Sequence, residues 1–427
     1  MNRYRTFYPL ILLLLLACNG PLVLQQAAAP TAANEPQLPD ISPANLVRGT
    51  YAGTAVDKTN RTCSGRFVEH QLDHTTTVPG GDDVRMFAAN GGGLALNDLD
   101  NDGDLDIVLA NHAAPNSILW NEGELSFRTQ RFAGGDARAV TIVDLDGDGR
   151  QDIFFTRSAS APNYWHNEGQ QQFTLTTLPG VDKPLYSINW ADFDGDQDLD
   201  FAGGTYDASL LTDFGAEFLS SGDAGVYVYE NQDGAFQATR LASQAQAMAL
   251  IVPDLNNDGS PDIVVGNDFG VPDYTWLNTP AGWQEAPFAT MSHSTMSLAQ
   301  ADIDNSGAFA IFSTDMLPYS DDPETQAAWA PVMEEMMADP HLPGDPQIMA
   351  NVLQTITGSN GYANTAPARG LEATGWSWSA KFGDLDQDGF LDLYAVNGFM
   401  EYSTFAHLPD HELVEENQAL RNQGDGT

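Results

Sequence analysis

The chain has 427 residues, with 17 basic and 59 acidic side chains that give a formal net charge of −42. This charge excludes nucleic-acid binding, which needs a positive surface, and it disfavours direct docking on anionic lipid. The 42% hydrophobic and 10% aromatic content supports a folded core, which excludes a disordered acidic chain. Two cysteines are too few for a disulfide framework.

The N-terminus has the pattern of an export signal. Two arginines precede an apolar run, residues 7–17, which is too short to span a bilayer. The run ends in Leu15-Leu16-Ala17-Cys18, which resembles a bacterial lipobox, so we expect residues 1–17 to be a lipoprotein signal peptide and Cys18 to carry lipid. An ordinary signal peptide, in which Cys18 is incidental, is the alternative. Residues 18–62, rich in Pro, Ala and Gln, are predicted to be a flexible tether.

A nine-residue acidic loop recurs along the rest of the chain, each time between two apolar segments. Each intact copy has Asp or Asn at positions 1, 3 and 5, a turn residue at position 6 and Asp at position 9. The five intact copies are residues 98–106, 144–152, 192–200, 254–262 and 384–392. A sixth copy, residues 302–310, has lost the ligands expected at positions 7 to 9, and we expect it to be empty.

This pattern predicts a calcium site in each intact loop, about five structural ions in all, because calcium takes about 6–8 oxygen ligands. Carboxylates at positions 1, 3 and 5 can turn toward one point, and the Asp at position 9 closes the site. A backbone carbonyl ligand at position 7 explains why that residue varies. The predicted ligands are Asp98, Asp100, Asp102, Asp104, Asp106; Asp144, Asp146, Asp148, Arg150, Asp152; Asp192, Asp194, Asp196, Asp198, Asp200; Asp254, Asn256, Asp258, Ser260, Asp262; and Asp384, Asp386, Asp388, Phe390, Asp392.

Solvated acidic turns are the alternative interpretation. A turn needs only one Asp or Asn and one Gly, whereas four carboxylates in one loop repel one another without a cation. An EF-hand is excluded because no intact loop has the Glu that an EF-hand requires at position 12. Two copies depart from the pattern: Gln197 replaces the glycine of the third, and Asn256 replaces one carboxylate of the fourth.

Most of the loops recur at intervals of roughly 45–50 residues, the period of a four-stranded propeller blade. In each repeat one apolar strand leads into the loop and a second follows it. An aromatic hairpin with an Asn/Gly turn comes next, as in residues 119–127. We therefore predict an all-β fold over residues 63–427, a β-propeller of four-stranded blades with one helical insertion.

These loops and hairpins resemble the FG-GAP/VCBS repeats of the integrin α-subunit type of β-propeller. Two later segments, Met296-Ser-Leu-Ala-Gln-Ala-Asp302 and Thr374-Gly-Trp376-Ser-Trp378, are similar to the cartilage acidic protein group, whose members often carry a C-terminal ASPIC/UnbV domain. The resemblance implies that the loop aspartates bind calcium and that the complete ring has seven blades. Because the chain stops inside a hairpin turn after six repeats, we expect it to be incomplete, with the closing blade and any ASPIC/UnbV domain missing.

Two insertions lengthen the repeats, at residues 206–224 and 316–373. Residues 324–337 have a helical pattern with three clustered methionines, Met333, Met336 and Met337. These methionines form either the buried side of a helix that lies on the propeller or an adaptable binding surface. The insertions are the best candidates for a partner-binding region.

The sequence contains no Gly-x-Ser-x-Gly elbow, no His-Glu-x-x-His and no phosphate-binding glycine loop. Residues 91–93, all glycine, precede an acidic loop instead of a helix and are predicted to be a strand-edge feature. His407 and His411, with Asp410 and Glu412, could ligate a transition metal only if that proline-broken segment were helical. The chain is therefore predicted not to be an enzyme.

The function predicted from the sequence is that of a calcium-stabilised, lipid-anchored β-propeller of the bacterial cell envelope, at the outer membrane or cell surface. It is expected to be a non-catalytic scaffold for binding or adhesion, with an unidentified protein or glycan as its ligand. The lipid anchor is its only expected membrane contact, and no nucleic acid is involved. An envelope hydrolase or lyase built on the propeller and an assembly factor for another envelope protein are the alternatives.

Overall fold

The computed structural model describes residues 70–78, 92–132, 134–336, 345–357, 361–401, 404–424 and 426, which all belong to one compact unit. The signal peptide, the lipidation site Cys18 and the tether lie outside the described residues, so they stay predictions. Within the described residues, no helix is long and apolar enough to cross a membrane.

The first four blades are four-stranded sheets whose antiparallel strands follow one another in chain order. Blade 1 contains β1 (Leu94–Asn97), β2 (Asp106–Leu109), β3 (Asn116–Asn121) and β4 (Phe127–Phe132), and blade 2 contains β5 (Ala137–Val143), β6 (Asp152–Arg157), β7 (Asn163–Gly169) and β8 (Gln172–Thr176). Blade 3 contains β9 (Ser187–Ala191), β10 (Asp200–Gly204), the helices α1 (Asp207–Phe214) and α2 (Phe218–Ser221), β11 (Val226–Gln232) and β12 (Ala235–Ala242). Blade 4 contains β13 (Ala247–Ile251), β14 (Ile263–Asn267), β15 (Tyr274–Thr279) and β16 (Gly282–Glu285).

The remaining elements build two further blades and two short strand pairs. In chain order they are β17 (Met291–Ser292), β18 (Ser297–Ala301), β19 (Ala310–Thr314), β20 (Met316–Leu317), α3 (Pro323–Met336), β21 (Gln347–Ile348), β22 (Val352–Ile356), β23 (Tyr362–Asn364), α4 (Ala366–Arg369), β24 (Gly375–Gly383), β25 (Asp392–Asn397), β26 (Phe399–Met400), a 3₁₀ turn (Pro409–His411), β27 (Glu412–Leu413) and β28 (Gln418–Leu420). Blade 5 has the order β18-β19-β22-β23 and blade 6 the order β20-β24-β25-β28. The strands β17 and β21 pair in parallel, and β26 pairs with β27.

The described residues thus form six blades, not the seven that the resemblance implied. Each of these blades is built around one acidic loop, intact or degenerate, and the sequence has six such loops. The expectation of seven blades is therefore wrong for the part of the chain that the structure describes.

The second insertion contains blade strands as well as a helix. The helix predicted at 324–337 is α3, and Met333 and Met336 lie against an apolar cluster that includes Trp329 and Trp376. These two methionines thus belong to the buried side of the helix, and Met337 lies outside the described residues. The strands β22 and β23 complete blade 5, so the predicted insertion at 316–373 is too long. Its sequence lacks the aromatic hairpin that marks the third strand elsewhere.

The core lies in layers between consecutive blades. The second strands β6, β10, β14 and β19 are buried along most or all of their length, as expected for strands covered on both faces. An apolar cluster fills each of the five layers from blades 1–2 to blades 5–6. Fully buried side chains such as Phe154, Phe201 and Phe312 each stabilise the fold by about 1.5–3 kcal/mol.

In blades 1 to 5 the acidic loop joins the first strand to the second, and in blade 6 it joins β24 to β25. The loops therefore all lie at one end of the propeller, the loop end. Positions 4 and 6 of the loops adopt left-handed backbone angles, as Asn101 (φ 60°) and Gly103 (φ 95°) show in blade 1. In blade 3 position 6 is Gln197, with φ 79°. An L-residue other than Gly is strained there because its Cβ approaches the following carbonyl.

Replacing Gln197 with Gly should raise the free energy of unfolding by about 1 kcal/mol, because the strain exceeds the entropy cost of glycine. Urea unfolding of the two proteins measures the difference. Gly149→Gln at the same position of blade 2 is the matched control and should destabilise by a similar amount. A Gln197→Gly protein that is no more stable than the parent would contradict the strain argument.

Candidate metal centres

The carboxylate at position 1 holds the backbone of its own loop. In blade 1, Asp98 Oδ1 accepts the N–H of Asp102 (3.1 Å) and Asp98 Oδ2 accepts the N–H of Gly103 (2.9 Å). The degenerate loop keeps the same bonds, from Ser306 and Gly307 to Asp302. The loop conformation therefore depends on position 1 and is retained where the acidic residues at positions 5 and 9 have been lost.

The Asp at position 9 connects its loop to the third strand of the same blade. Both carboxylate oxygens accept backbone N–H groups, one from loop position 2 and one from an Asn on the third strand or in the equivalent segment of blade 6. Asp106 accepts from Leu99 and Asn121 (3.0 and 2.8 Å), Asp152 from Leu145 and Asn167 (3.3 and 2.7 Å), Asp200 from Phe193 and Asn231 (2.8 and 2.7 Å), Asp262 from Leu255 and Asn278 (2.7 and 2.8 Å), and Asp392 from Leu385 and Asn422 (3.0 and 2.9 Å). All five carboxylates are buried. We call this arrangement the aspartate latch.

The same Asn residues connect neighbouring blades. In three blades the side-chain amide donates to the carbonyl at position 2 of the preceding blade's loop. These bonds run from Asn167 to Leu99 (3.1 Å), from Asn278 to Phe193 (2.7 Å) and from Asn422 to Ile303 (2.6 Å). The latch thus joins each loop to its own blade and, in three cases, to the neighbouring blade. Removal of the Asp or the Asn leaves buried polar groups without hydrogen-bond partners.

Four of the five intact loops gather carboxylates closely enough to hold a metal ion. The groups are Asp98, Asp100 and Asp106; Asp144, Asp146 and Asp148; Asp192, Asp194 and Asp200; and Asp384, Asp386 and Asp392. Within three of these loops, one oxygen each of Asp100, Asp144 and Asp198 is buried without a hydrogen-bond partner. A buried, unpartnered carboxylate oxygen is costly unless a cation contacts it. These residues therefore fit a metal ion.

The fourth loop is arranged differently. The amide of Asn256 donates to Asp258 Oδ2 (2.9 Å), so a hydrogen bond joins this pair. In the loop of blade 6 a cation is supplied by the protein: Arg421 contacts Asp386 Oδ2 (2.6 Å) and Asp388 Oδ2 (3.2 Å). Arg421 is an exposed side chain, and such exposed ion pairs contribute little stability. A divalent ion can therefore displace it at small cost.

The loop of blade 2 has a nitrogen donor beside it. His166 Nδ1 lies 3.3 Å from Asp146 Oδ2 and 3.4 Å from Asp152 Oδ1, and these three residues form a further group that could hold a metal. Tyr164 donates its hydroxyl to Asp152 Oδ2 (2.7 Å). The side chain of Arg150, at position 7, forms an ion pair with Asp148. The ligand that the sequence predicts at Arg150 is its backbone carbonyl.

Burial and mutual repulsion raise the pKa of several loop carboxyls. Burial raises the pKa of Asp106, Asp152 and Asp200, although backbone N–H donors oppose the shift. Burial raises the pKa of Asp262 to about 7. The pKa of Asp198 rises to about 6, first through burial and then through repulsion from Asp196. A cation bound in these loops would favour the ionised carboxylates and oppose the shifts.

The transition-metal alternative is not supported by the described geometry. Asp410 has φ 54°, so the segment around His407 and His411 is not a continuous helix. His407 Nε2 contacts the carbonyl of Ala328 (2.8 Å). Neither histidine belongs to any of the groups that could hold a metal among the described residues.

Sequence reasoning did not find the hairpin residues that complete the loops. The latch asparagines stand in the Asn/Gly turns that the sequence analysis treated only as hairpin signals. Gln171, which donates to Asp100 Oδ2 (2.7 Å), and His166 both lie in the β7–β8 hairpin, and Arg421 follows β28 in the equivalent segment of blade 6. An Asn that follows position 9 at the distance of one strand and precedes a turn glycine is the signal that could have identified the latch.

The described chain is a β-propeller whose acidic loops could bind metal ions. Residues 98–155 and 144–202 match the family model described as FG-GAP-like repeat, so this part of the propeller consists of FG-GAP-like repeats. The likeness to the cartilage acidic protein group stays a prediction. No curated protein sequence matches the chain.

Three solved structures are similar to the chain at 9–10% identity. Two are crystal structures of BBS1N in complex with ARL6DN. The lead-soaked one has a TM-score of 0.41 and covers 71% of this chain and 76% of its own. The mercury-soaked one has a TM-score of 0.40, and the match covers 83% of this chain and 98% of the other. The Neurospora crassa Pan2 WD40 domain has a TM-score of 0.39 and covers 72% of each chain.

Replacing Asp262 with Ala should lower the free energy of unfolding by about 2–5 kcal/mol, because two buried N–H groups lose their acceptor. Denaturant unfolding with excess chelator measures this effect without any contribution from metal. Ser260→Ala in the same loop is the matched control and should change stability by less than about 0.5 kcal/mol. Equal losses in the two variants would show that the latch has no special role.

Proposed function

We propose that the protein is a calcium-stabilised β-propeller lipoprotein of the bacterial cell envelope that acts as a non-catalytic scaffold for binding or adhesion. The observation that carries the proposal is the clustering of carboxylates, with buried unpartnered oxygens, in loops on neighbouring blades. The ion's role is structural: it supplies the positive charge that the loop lacks and connects the two strands that the loop joins.

Calcium fits this donor set better than other common metals. Positions 1, 3 and 5 offer carboxylate oxygens and position 7 offers a carbonyl, and calcium prefers an irregular set of hard oxygen ligands. Zinc prefers nitrogen and sulfur ligands, and only blade 2 places a nitrogen, that of His166, within a described group. In blade 1 the ion would be held by Asp98, Asp100 and Asp106 with the carbonyl of Asp104.

A scaffold role agrees with the repeat architecture. Propellers with FG-GAP-like repeats are typically binding domains, and the predicted ligand is a protein or glycan of the cell envelope. The loop end of the propeller is strongly acidic, so a partner bound there would need positive charge or a bridging cation. The opposite end carries α1, α2 and α3 from the two insertions, which are the proposed partner-binding region.

Removing calcium should destabilise the protein strongly, because an ion that binds only the folded state stabilises it by mass action, by about 2.7 kcal/mol per site at a hundredfold excess over Kd. Thermal unfolding with calcium and with excess chelator measures this effect. Identical melting curves under the two conditions would remove the structural role of the ion.

Single-site variants locate the effect. Asp100→Ala and Asp146→Ala should lose about 1–3 kcal/mol of stability in calcium and much less with chelator, because only the ion-dependent stabilisation is lost. Asp304→Ala, at the same position of the degenerate loop, is the matched control and should behave alike in both conditions. If all three variants lose the same amount in both conditions, the aspartates stabilise the loops without metal.

The membrane anchor is tested separately. If Cys18 carries lipid, Cys18→Ala expressed in a bacterial host should move the protein from the membrane fraction to the soluble envelope fraction. Cys63→Ala is the control and should remain with the membrane. Wild-type protein without a lipid-sized mass increment at its mature N-terminus would contradict the lipoprotein assignment and leave the metal proposal unaffected.

A further inference from the structure

A cavity of about 300 Å³ lies at the end of the propeller opposite the acidic loops. Some of its lining residues come directly after the second strand of a blade: Tyr206 follows β10 and Asp268 follows β14. Others come before a first strand, as His293 does before β18. The helix α3 contributes Val332 and Met336. The cavity is therefore built from three or more blades and a helix, and no residue of the acidic loops lines it.

Aromatic and sulfur-containing side chains make up most of its wall. Trp376 stacks on Phe399 with ring centroids 4.8 Å apart and planes at 9°, and Trp378 lies 5.1 Å from the same phenyl ring. Met296 and Met316 add polarisable sulfur groups. A wall of this composition favours alkyl groups and also attracts cations through the faces of the rings.

The charged groups of the cavity are mainly acidic. Asp268 lines it, is 6% exposed, and accepts hydrogen bonds from the Tyr206 hydroxyl (2.7 Å) and the N–H of Phe269 (2.8 Å). The fully buried Asp315 lies behind it and accepts the N–H groups of His293 and Ser294. Among the lining residues that the structure describes, His293 is the only one that can be positive, and there is no Lys or Arg. Burial raises the pKa of both carboxyls, and a cation beside Asp268 would favour its ionised form.

Two further observations point to a ligand. The indole N–H of Trp376 is buried without a hydrogen-bond partner, although such donors are normally paired. Phe269 has φ 57° and is 40% exposed, so a bulky ring is held at the edge of the cavity in a strained conformation. Strain of this kind concentrates at binding sites.

We propose that this cavity binds a small organic cation with alkylated nitrogen, of the quaternary ammonium class, with Asp268 as its counter-ion and the aromatic rings as its wall. A hydroxyl or carboxylate on the same molecule would accept the free indole N–H of Trp376. The site would be separate from the metal loops and would give the scaffold a small-molecule ligand.

Calorimetric titration of the full chain in calcium tests the proposal with choline as the probe. Its uncharged isostere 3,3-dimethylbutan-1-ol has the same shape with carbon in place of nitrogen, and it should bind at least about tenfold more weakly. Absence of saturable choline binding up to about 10 mM, or equal binding of the isostere, overturns the proposal.

Two variants assign the site. Asp268→Asn should weaken choline binding by about tenfold or more, whereas Asp233→Asn, an exposed position in the β11–β12 turn, should leave it unchanged. Melting curves in calcium show whether each variant is folded. Asp268→Asn also alters buried hydrogen bonds, so Phe269→Leu provides a second test at a more exposed position. Loss of the aromatic ring there should weaken choline binding about two- to fivefold. Unchanged affinity in both folded variants overturns the assignment.

The same cation occurs in free solutes and in lipid headgroups. Phosphatidylcholine vesicles, which carry it on a headgroup, distinguish these two sources. A cavity of this size that is partly covered by α3 predicts binding of the free solute and no sedimentation with vesicles of the Cys18→Ala protein, which lacks the proposed lipid anchor. Sedimentation with vesicles in the absence of free choline binding would contradict the proposal.

Discussion

The aspartate latch is the interaction on which the rest of the structure depends. One buried carboxylate at position 9 accepts a backbone N–H from its own loop and another from the third strand or its equivalent, in each blade with an intact loop. In three blades the latch asparagine also binds the preceding loop. An ionised carboxylate in this position is favourable only while both donors are in place. The latch therefore positions the first and third strands together and brings the remaining loop carboxylates to one point.

That convergence creates the requirement for a cation. The loops bring several carboxylates together, and oxygens such as Asp100 Oδ1 and Asp144 Oδ1 have no donor. The protein partly compensates with its own groups, as with Gln171 in blade 1 and Arg421 in blade 6. Gln171 carries no charge, and the exposed Arg421 loses conformational entropy when it is fixed, so these side chains neutralise the loops less well than a divalent ion does. The metal and the latch are thus two parts of one arrangement: the latch builds the pocket and the ion neutralises it.

Much of the fold could be predicted from the sequence, because each blade repeats a local signal. The carboxylates at fixed offsets, the apolar second strands and the Asn/Gly turns depend on nearest-neighbour geometry, and α3 follows an ordinary helical pattern. The outer strands β22 and β23 could not be found, because they follow a long excursion without an aromatic hairpin. The latch was missed although its members lie only one strand apart, as Asp262 and Asn278 do, because an Asn before a turn glycine also has an ordinary role as a hairpin signal. The cavity at the opposite end has no sequence signature because its wall is assembled from strand ends of several blades.

The central claim is that the loops bind divalent ions in the folded protein. Elemental analysis of purified native protein, after exhaustive dialysis against trace calcium, tests it most directly. The account predicts about four or five calcium ions per chain, released by chelator together with a loss of stability. A native, fully folded protein with no bound calcium or other divalent metal would contradict it.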